Sequence, residues 1–237
     1  MVRSNRIAII PARGGSKRIP RKNIIDFAGK PIIAWTIEAA LDTGLFDRVL
    51  VSTDDEEIAS VSRSFGADVP FLRDRHNDDF SSASLATIAA LDQVERLLKE
   101  RYEVVAQLMA NCPLRGSEHI ESAIRLFETS GSDFQVSCSK YGWLNPRWAH
   151  EIDENNVAKS IFPEWHMARS QDLPNLYCPT GAIWIAKVKS LNASGTFYGP
   201  GYRFAPLDWK TGVDIDDDDD MKMAMLIFRL KEEKGPC

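Results

Sequence analysis

Short runs of apolar residues typical of buried strands alternate with helical patterns through the first 140 residues of the chain. The strand patterns lie at residues 7–10, 49–51, 104–108 and 134–138. Apolar residues recur at helical spacing between and after them, at residues 33–41, 85–98 and 120–127. Strands and helices that alternate in this way predict an α/β fold, with a mostly parallel sheet and helices on both of its faces.

The pattern breaks between residues 141 and 180, where Trp143, Trp148 and Trp165 lie among prolines and no regular period is visible. Such a segment is either an irregular loop or an arm through which molecules associate. The large aromatic residues favour the arm, because exposed aromatic surface usually marks an interface. The strand and helix patterns resume after it. We therefore expect one domain over residues 1–237, from which residues 141–180 protrude.

Charge and composition argue against several classes of protein. The 29 Lys and Arg residues against 34 Asp and Glu give a net charge of −5, whereas a nucleic-acid-binding domain is normally strongly basic. No stretch approaches the roughly 18–20 apolar residues of a membrane span, and the amino-terminal residues lack a signal-peptide pattern. The four cysteines form no Cys-x-x-Cys pair, and the four histidines lack metal-ligand spacing. We expect a cytoplasmic protein with reduced thiols that binds neither nucleic acid nor membrane.

The segment that follows the first strand, residues 11–23, combines glycines with many cations. A loop after a parallel strand lies at the carboxyl edge of the sheet, where α/β proteins bind ligands. Gly14 and Gly15 would let backbone N–H groups approach an anion closely. The cations are Arg13, Lys17, Arg18, Arg21 and Lys22. A solvated basic loop is the alternative, but the strand and the paired glycines favour a polyphosphate site.

This loop matches neither of two common phosphate-binding patterns. It lacks the Gly-Lys-Ser/Thr end of the Walker A sequence and the three spaced glycines of Gly-x-Gly-x-x-Gly. A P-loop NTPase and a dinucleotide-dependent dehydrogenase are therefore disfavoured.

A run of aspartates near the carboxyl end is the second candidate site. Asp214 and Asp216 alternate with Ile215, so at the end of a short strand their carboxylates would point to the same side. Two convergent carboxylates suit Mg²⁺ when phosphates and waters fill its other positions. Asp217 to Asp220 are expected in the first turn of a helix, where negative charge complements the dipole. A basic glycine loop with a Mg²⁺ site indicates phosphoryl or nucleotidyl transfer from a nucleoside triphosphate.

Seven short motifs are spread over nearly the whole chain. They are Ile10 to Asn23, Gly29 to Ile32, Val51 to Asp54, Cys112 to Arg115, Arg169 to Pro174, Pro179 to Ile183 and Asp214 to Asp216. Each motif is weak by itself, but the ordered set closely resembles the acylneuraminate cytidylyltransferases, the CMP-sialic acid synthetases. The resemblance implies a single Rossmann-like nucleotidyltransferase domain with a mostly parallel sheet. It also implies a homodimer, formed through a protruding arm at residues 141–180.

The resemblance further implies the reaction and its residues. The anomeric hydroxyl of a nonulosonic acid attacks the α-phosphate of CTP, with Mg²⁺ as cofactor, and CMP-sugar and pyrophosphate are formed. The implied catalytic cations are Arg13, Lys17 and Lys22. The implied nucleotide-binding residues are Arg13, Gly14, Gly15, Ser16, Lys17, Lys22, Asn23 and Arg73. The implied sugar-binding residues are Arg169 and Gln171, and the implied metal ligands are Asp214 and Asp216.

Two positions depart from the pattern of the family. Met109 stands where many members carry a glutamine, whose hydrogen bonds a methionine cannot form. Cys178 stands where some relatives carry an arginine, and we interpret it as a small packing residue. Both departures leave room for pseudaminic or legionaminic acid in place of N-acetylneuraminate. The alternatives are an eight-carbon acid, as in the Kdo cytidylyltransferases, and a non-catalytic nucleotide-binding protein on the same fold.

Overall fold

The computed structural model describes residues 5–16, 18–77 and 81–233. A sheet of six strands lies at its centre, in the order β10-β6-β9-β5-β1-β4, and all of them run in one direction except β9. The strands of this sheet are β1 (Arg6–Pro11), β4 (Arg48–Ser52), β5 (Val104–Gln107), β6 (Phe134–Lys140), β9 (Tyr177–Lys187) and β10 (Arg203–Leu207). The remaining strands form two ribbons: β2 (Asp26–Phe27) with β3 (Lys30–Pro31), and β7 (His150–Ile152) with β8 (Ala158–Ser160). The predicted α/β fold with a mostly parallel sheet is confirmed.

Helices cover both faces of the sheet. They are α1 (Ile32–Asp42), α2 (Glu56–Ser64), α3 (Ala83–Gln93), α4 (Ser117–Ser130), α5 (Val188–Ser194) and α6 (Asp218–Glu233). Side chains of β1 alternate between the two layers: Ala8 and Ile10 pack with α1, α2 and α4, whereas Ile7 and Ile9 pack with α3 and α5. All four side chains are fully buried, which explains why this strand is a continuous apolar run and does not alternate.

Three elements differ from the sequence patterns. The helical pattern at 85–98 is divided, because α3 ends at Gln93 and a π-helical turn, Val94–Leu98, follows it. Helix α2 and strand β10 were not predicted. Only Ile58, Ala59 and Ser62 of α2 are buried, and β10 is an edge strand with a single buried residue, so neither segment carries a strong apolar period.

The chain leaves the sheet after β6, in an excursion over residues 141–176, and returns to it in β9, so residues 177–180 of the expected segment belong to the sheet. The excursion contains the β7–β8 ribbon and three short 3₁₀ turns. Trp143 and Met167 are the most exposed of its large apolar side chains, at 84% and 86%. Trp148 is held inside the excursion, since its indole N–H donates to the carbonyl of Ala168 at 3.2 Å. None of the helices in the described ranges combines the length and apolar character needed to cross a bilayer.

Candidate active site

A cavity of about 480 Å³ opens at the carboxyl ends of β1, β4 and β5. Its wall includes five residues that the sequence assigned to the nucleotide: Arg13, Ser16, Lys22, Asn23 and Arg73. Lys17, assigned to the same site, lies outside the described residues. Residues separated by up to sixty positions therefore meet at one edge of the sheet, as expected for parallel strands.

The first loop is held in place by carboxylates that follow β4. The N–H of Gly14 donates to Asp54 Oδ1 at 2.9 Å, and Arg21 pairs with both Asp55 and Glu57. A Cβ atom added to Gly14 would lie only 2.9 Å from Asp55 Oδ2. Gly14 is thus required for a close approach between the loop and Asp55, in addition to any contact with a phosphate.

Asp55 joins this loop to α2. Its Oδ1 atom accepts the N–H of Ile58 at 3.0 Å and caps the helix, and the hydrogen bond from Arg21 lowers the pKa of its carboxyl group. Arg21 itself has a left-handed backbone, with φ of 56°. Because Arg21 is committed to these acids, it anchors the loop, while Arg13, Arg18 and Lys22 line the cavity.

Arg73 is almost completely buried at the end of β4. Its guanidinium donates to the carbonyl of Ser52 at 2.9 Å and to Asn77 Oδ1 at 2.8 Å. Burial lowers the pKa of Arg73, but a guanidinium keeps its charge at neutral pH. These hydrogen bonds fix the position of the guanidinium at the wall of the cavity.

Asp214 and Asp216 lie in an extended segment before α6 that pairs with no strand, so the expected short strand is wrong. The alternation that motivated it is present, because Val213 and Ile215, on either side of Asp214, are both buried. Asn111 holds the segment instead: its carbonyl accepts the N–H of Ile215 and its side-chain amide donates to the carbonyl of Ile215, both at 3.0 Å. Asn111 thus links the segment that carries the two carboxylates to the loop after β5.

The two acids have opposite electrostatic surroundings. Burial, followed by repulsion from Asp216, raises the pKa of Asp214 to about 6. Burial opposes ionisation of Asp216 as well, but hydrogen bonds from Lys22 and Arg18 bring its pKa below the usual value. Lys22 Nζ lies 2.6 Å from Oδ1 of Asp216, and Arg18 Nη2 lies 2.5 Å from Oδ2. The basic loop and the acidic pair are therefore in direct contact.

This pair fits a divalent cation. The carboxylates are oxygen donors of the kind that Mg²⁺ takes, and the repulsion that Asp216 adds to the effect of burial at Asp214 is one that a cation would relieve. Within the described ranges, no three His, Cys, Asp or Glu side chains are grouped closely enough to hold a metal by themselves. The remaining ligands would be phosphate oxygens and waters. As expected, the rest of the run serves α6, where Asp217 and Asp220 accept backbone N–H groups around its first turn.

Met109 forms an apolar part of the cavity wall next to the acids. A Cβ atom on Gly181 would lie 3.1 Å from Met109 Cγ and 3.3 Å from Asp214 Oδ2, so the glycine leaves room for both side chains. Gln107, behind Met109, directs its amide toward the thioether sulfur at 3.9 Å and accepts a hydrogen bond from Thr87 at 2.7 Å.

Arg115 belongs to one of the motifs named above, and the sequence assigned it no role. In the structure it ties the loop after β5 to β9 and α1. It is fully buried and donates to the carbonyl of Ala182 at 2.5 Å and to Thr36 Oγ1 at 2.6 Å. Burial lowers the pKa of Arg115 to about 10. Cys112 is buried beside Asp214, and burial raises the pKa of its thiol, which is typical of an unreactive cysteine.

Sequence reasoning missed the opposite wall of the cavity. Ser82 caps α3 by accepting the N–H of Leu85 at 3.3 Å, and Ser82 and Ala83 line the cavity. The amino-terminal end of α3 thus contributes a positive dipole end that favours anions. His76 also lines the cavity, in a left-handed conformation, and contacts Ser81 Oγ at 3.1 Å. The cap could have been found from Ser82 before the apolar period, whereas nothing in the sequence marks His76.

The residues assigned to the sugar lie elsewhere. Arg169 and Gln171 are exposed on the excursion, in and next to the 3₁₀ turn Ser170–Asp172. Arg169 Nε donates to Asp172 Oδ2 at 2.8 Å, and neither residue lines the cavity. Cys178 is half-buried at the start of β9, where it is a free thiol.

Known proteins match this chain along most of its length. The sequence model of the cytidylyltransferase family matches residues 7–166. A pseudaminic acid cytidylyltransferase of Campylobacter jejuni is 36% identical over 97% of this chain and 98% of its own length. A CMP-N,N'-diacetyllegionaminic acid synthase of Legionella pneumophila is 32% identical over 96% and 97%.

Solved structures agree on the fold. A CMP:2-keto-3-deoxy-manno-octonic acid synthetase complexed with CTP superimposes with a TM-score of 0.71, covering 96% of this chain and 99% of its own, at 18% identity. At that identity the likeness concerns the fold alone. With the family model and the full-length relatives taken together, the chain belongs to the cytidylyltransferase family.

Proposed function

We propose that this protein transfers CMP from CTP to the anomeric hydroxyl of a nonulosonic acid and releases pyrophosphate, with Mg²⁺ held by Asp214 and Asp216. The observation that carries the proposal is the contact of Lys22 and Arg18 with Asp216 at the edge of a cavity lined by Arg13 and Ser16. Such a site would bring cations, and a carboxylate suited to a metal ion, around one polyphosphate. Nucleotidyl transfer requires this arrangement more than it requires a covalent catalyst.

The cavity suggests a division of roles. Arg13, Ser16 and Lys22 would bind the triphosphate together with the amino-terminal end of α3, and Lys17 is proposed for the same role from the sequence. Asn23 donates to the carbonyl of Arg13 at 2.9 Å, and we propose Asn23 and Arg73 as nucleoside contacts. A bound Mg²⁺ would supply charge neutralisation at the phosphates. Lys22, which is mostly buried beside Asp216, would stabilise the charge that develops as the hydroxyl attacks.

Pseudaminic acid is the acid that we propose first. The pseudaminic acid cytidylyltransferase of Campylobacter jejuni and this chain match over nearly the full length of both. Their identity is slightly higher than that between this chain and the legionaminic acid enzyme. Met109 supports an acid other than N-acetylneuraminate, since it presents an apolar surface beside Asp214.

Pyrophosphate release tests this proposal directly. Purified protein with CTP and Mg²⁺ should release pyrophosphate with pseudaminic acid, and more slowly or not at all with legionaminic acid, N-acetylneuraminic acid and Kdo. Release with Kdo alone would support the eight-carbon alternative. No release with any of the acids would support a non-catalytic nucleotide-binding protein.

We propose a homodimer formed through residues 141–180. Support comes from the exposed apolar side chains of the excursion, Trp143, Leu144 and Met167, because a protein surface that exposes such groups usually has a partner. In such a dimer, the excursion of one copy could reach the cavity of the other and bring Arg169 and Gln171 to the sugar. Light scattering at micromolar concentration should give twice the chain mass, and Trp143→Glu with Met167→Glu should give a monomer.

The thiols support a reducing location. Cys112, Cys138 and Cys178 are all free, as is usual in the cytoplasm. We therefore propose that the enzyme acts in the cytoplasm.

A further inference from the structure

We infer that Arg18 exchanges between Asp216 and the triphosphate, so that the divalent-cation site at Asp214 and Asp216 is completed only when nucleotide is bound. This inference rests on the proposed function, and it gives a role in the reaction to an arginine that the sequence left unassigned. It predicts that metal enters the site with CTP or after it, and not before.

Two cations contact the carboxylate of Asp216. Its Oδ1 atom accepts from Lys22 Nζ at 2.6 Å, and its Oδ2 atom accepts from Arg18 Nη2 at 2.5 Å. The side-chain amide of Asn111 lies 3.4 Å from Oδ1. Both oxygens that would coordinate a cation therefore already have cationic donors. Two cations beside two carboxylates leave a site with little net attraction for a divalent ion.

The two cations differ in the exposure of their side chains. The Lys22 side chain is 15% exposed, whereas the Arg18 side chain is 64% exposed and lines the cavity. Moving Lys22 would expose packed surface, but Arg18 can turn toward the cavity at little cost. A polyphosphate in the cavity offers Arg18 several anionic oxygens in the planar geometry that a guanidinium prefers. Arg18 is thus the cation that a triphosphate would withdraw from Asp216.

Two further acids, Asp220 and Asp214, lie near Asp216. Asp220 directs its carboxylate to the backbone N–H groups of Asp216 and Asp217, at 2.9 and 3.2 Å, so it does not compete for Arg18. Asp214 is mostly buried and adds negative charge from the other side. When Arg18 leaves, Lys22 is the cation that remains against Asp216 among the described residues, and the phosphates add further negative charge. The divalent ion then gains both an electrostatic attraction to the site and its remaining oxygen ligands.

Mn²⁺ binding, followed by electron paramagnetic resonance, tests the exchange without turnover. Mn²⁺ is titrated into the wild type and into Arg18→Gln, with and without a CTP analogue that cannot be cleaved between the α- and β-phosphates. Without the analogue, Arg18→Gln should bind Mn²⁺ about fivefold more tightly than the wild type, a factor typical of one exposed ion pair. With the analogue, the difference should disappear.

Arg101→Gln is the matched control, because it makes the same change of charge at an exposed arginine that pairs with Glu95, away from the cavity. It should leave Mn²⁺ binding unchanged in both conditions. The inference is overturned if the wild type binds Mn²⁺ as tightly without the analogue as with it, or if Arg18→Gln matches the wild type without it. Failure of the proposed function has a different signature: the wild type releases no pyrophosphate with any nonulosonic acid.

Discussion

Substitution of Gly14 by alanine tests whether the carboxylates after β4 hold the loop after β1 in place. The new Cβ atom would lie 2.9 Å from Asp55 Oδ2 and 3.1 Å from Asp55 Cβ, closer than such atoms normally approach, so the loop and Asp55 must move apart by a few tenths of an ångström. The shift would weaken the cap on Ile58, worth about 1 kcal/mol, and the pairing with Arg21, worth up to about 1 kcal/mol. We expect a loss of about 2 kcal/mol in the free energy of unfolding.

The effect on nucleotide binding should be larger than the effect on stability. A displacement of the loop moves Arg13 and Ser16 relative to the phosphates, and small misplacements of binding groups can cost on the order of 100-fold in rate. We expect kcat/KM for CTP to fall by at least about tenfold, measured by pyrophosphate release at saturating acid, while urea unfolding reports the stability.

Gly15 provides the control for this prediction. A Cβ atom there would meet nothing within 4 Å, so Gly15→Ala should change the free energy of unfolding little. Equal losses of unfolding free energy at the two glycines would contradict this prediction, because they would show that the contact with Asp55 does not distinguish Gly14.

Three further predictions concern the cavity and its supports. Arg73→Lys keeps the charge but loses the planar donor set that reaches Ser52. It should raise KM for CTP about tenfold in steady-state assays, and an unchanged KM would show that Arg73 does not contact the nucleotide. Met109→Gln should lower the ratio of kcat/KM for pseudaminic acid over N-acetylneuraminic acid by about tenfold, whereas Met109→Leu should preserve it; an unaltered ratio in the glutamine variant would contradict the apolar wall. Burial lowers the pKa of His119, and its Nδ1 atom accepts the N–H of Gly116 at 3.1 Å, so the folded state binds fewer protons and loses stability as the pH falls below about 6.5. His119→Gln should remove part of this loss in urea unfolding between pH 5 and 8, and identical pH profiles would count against the assignment.

The part of the site nearest β1 could be predicted from the sequence for a simple physical reason. Residues 7–10 are buried on both faces and form an uninterrupted apolar run, so the start of the following loop is defined. In an α/β fold that loop must lie at the ligand-binding edge. The cations of the loop then indicate a polyphosphate without any knowledge of tertiary contacts.

Other features depend on contacts between distant segments and leave no local signal. The carboxylates of Asp54 and Asp55 reach the first loop across 40 and 34 positions, and Asn111 supports the acidic segment across 104. The expected strand at Asp214 was wrong because Asn111, and not a neighbouring strand, satisfies the backbone there. Strand β10 was missed because an edge strand with one buried residue has no apolar period.

Pyrophosphate release by the wild type and by Asp216→Asn, with CTP, Mg²⁺ and pseudaminic acid, is the most direct test of CMP transfer by this protein. We expect release that requires the acid and Mg²⁺ in the wild type. We expect almost none in Asp216→Asn, whose circular dichroism spectrum should match that of the wild type, because a neutral amide replaces the carboxylate that we propose as a metal ligand. Full activity in Asp216→Asn with an unchanged dependence on Mg²⁺, or release from CTP that does not depend on the acid, would contradict it.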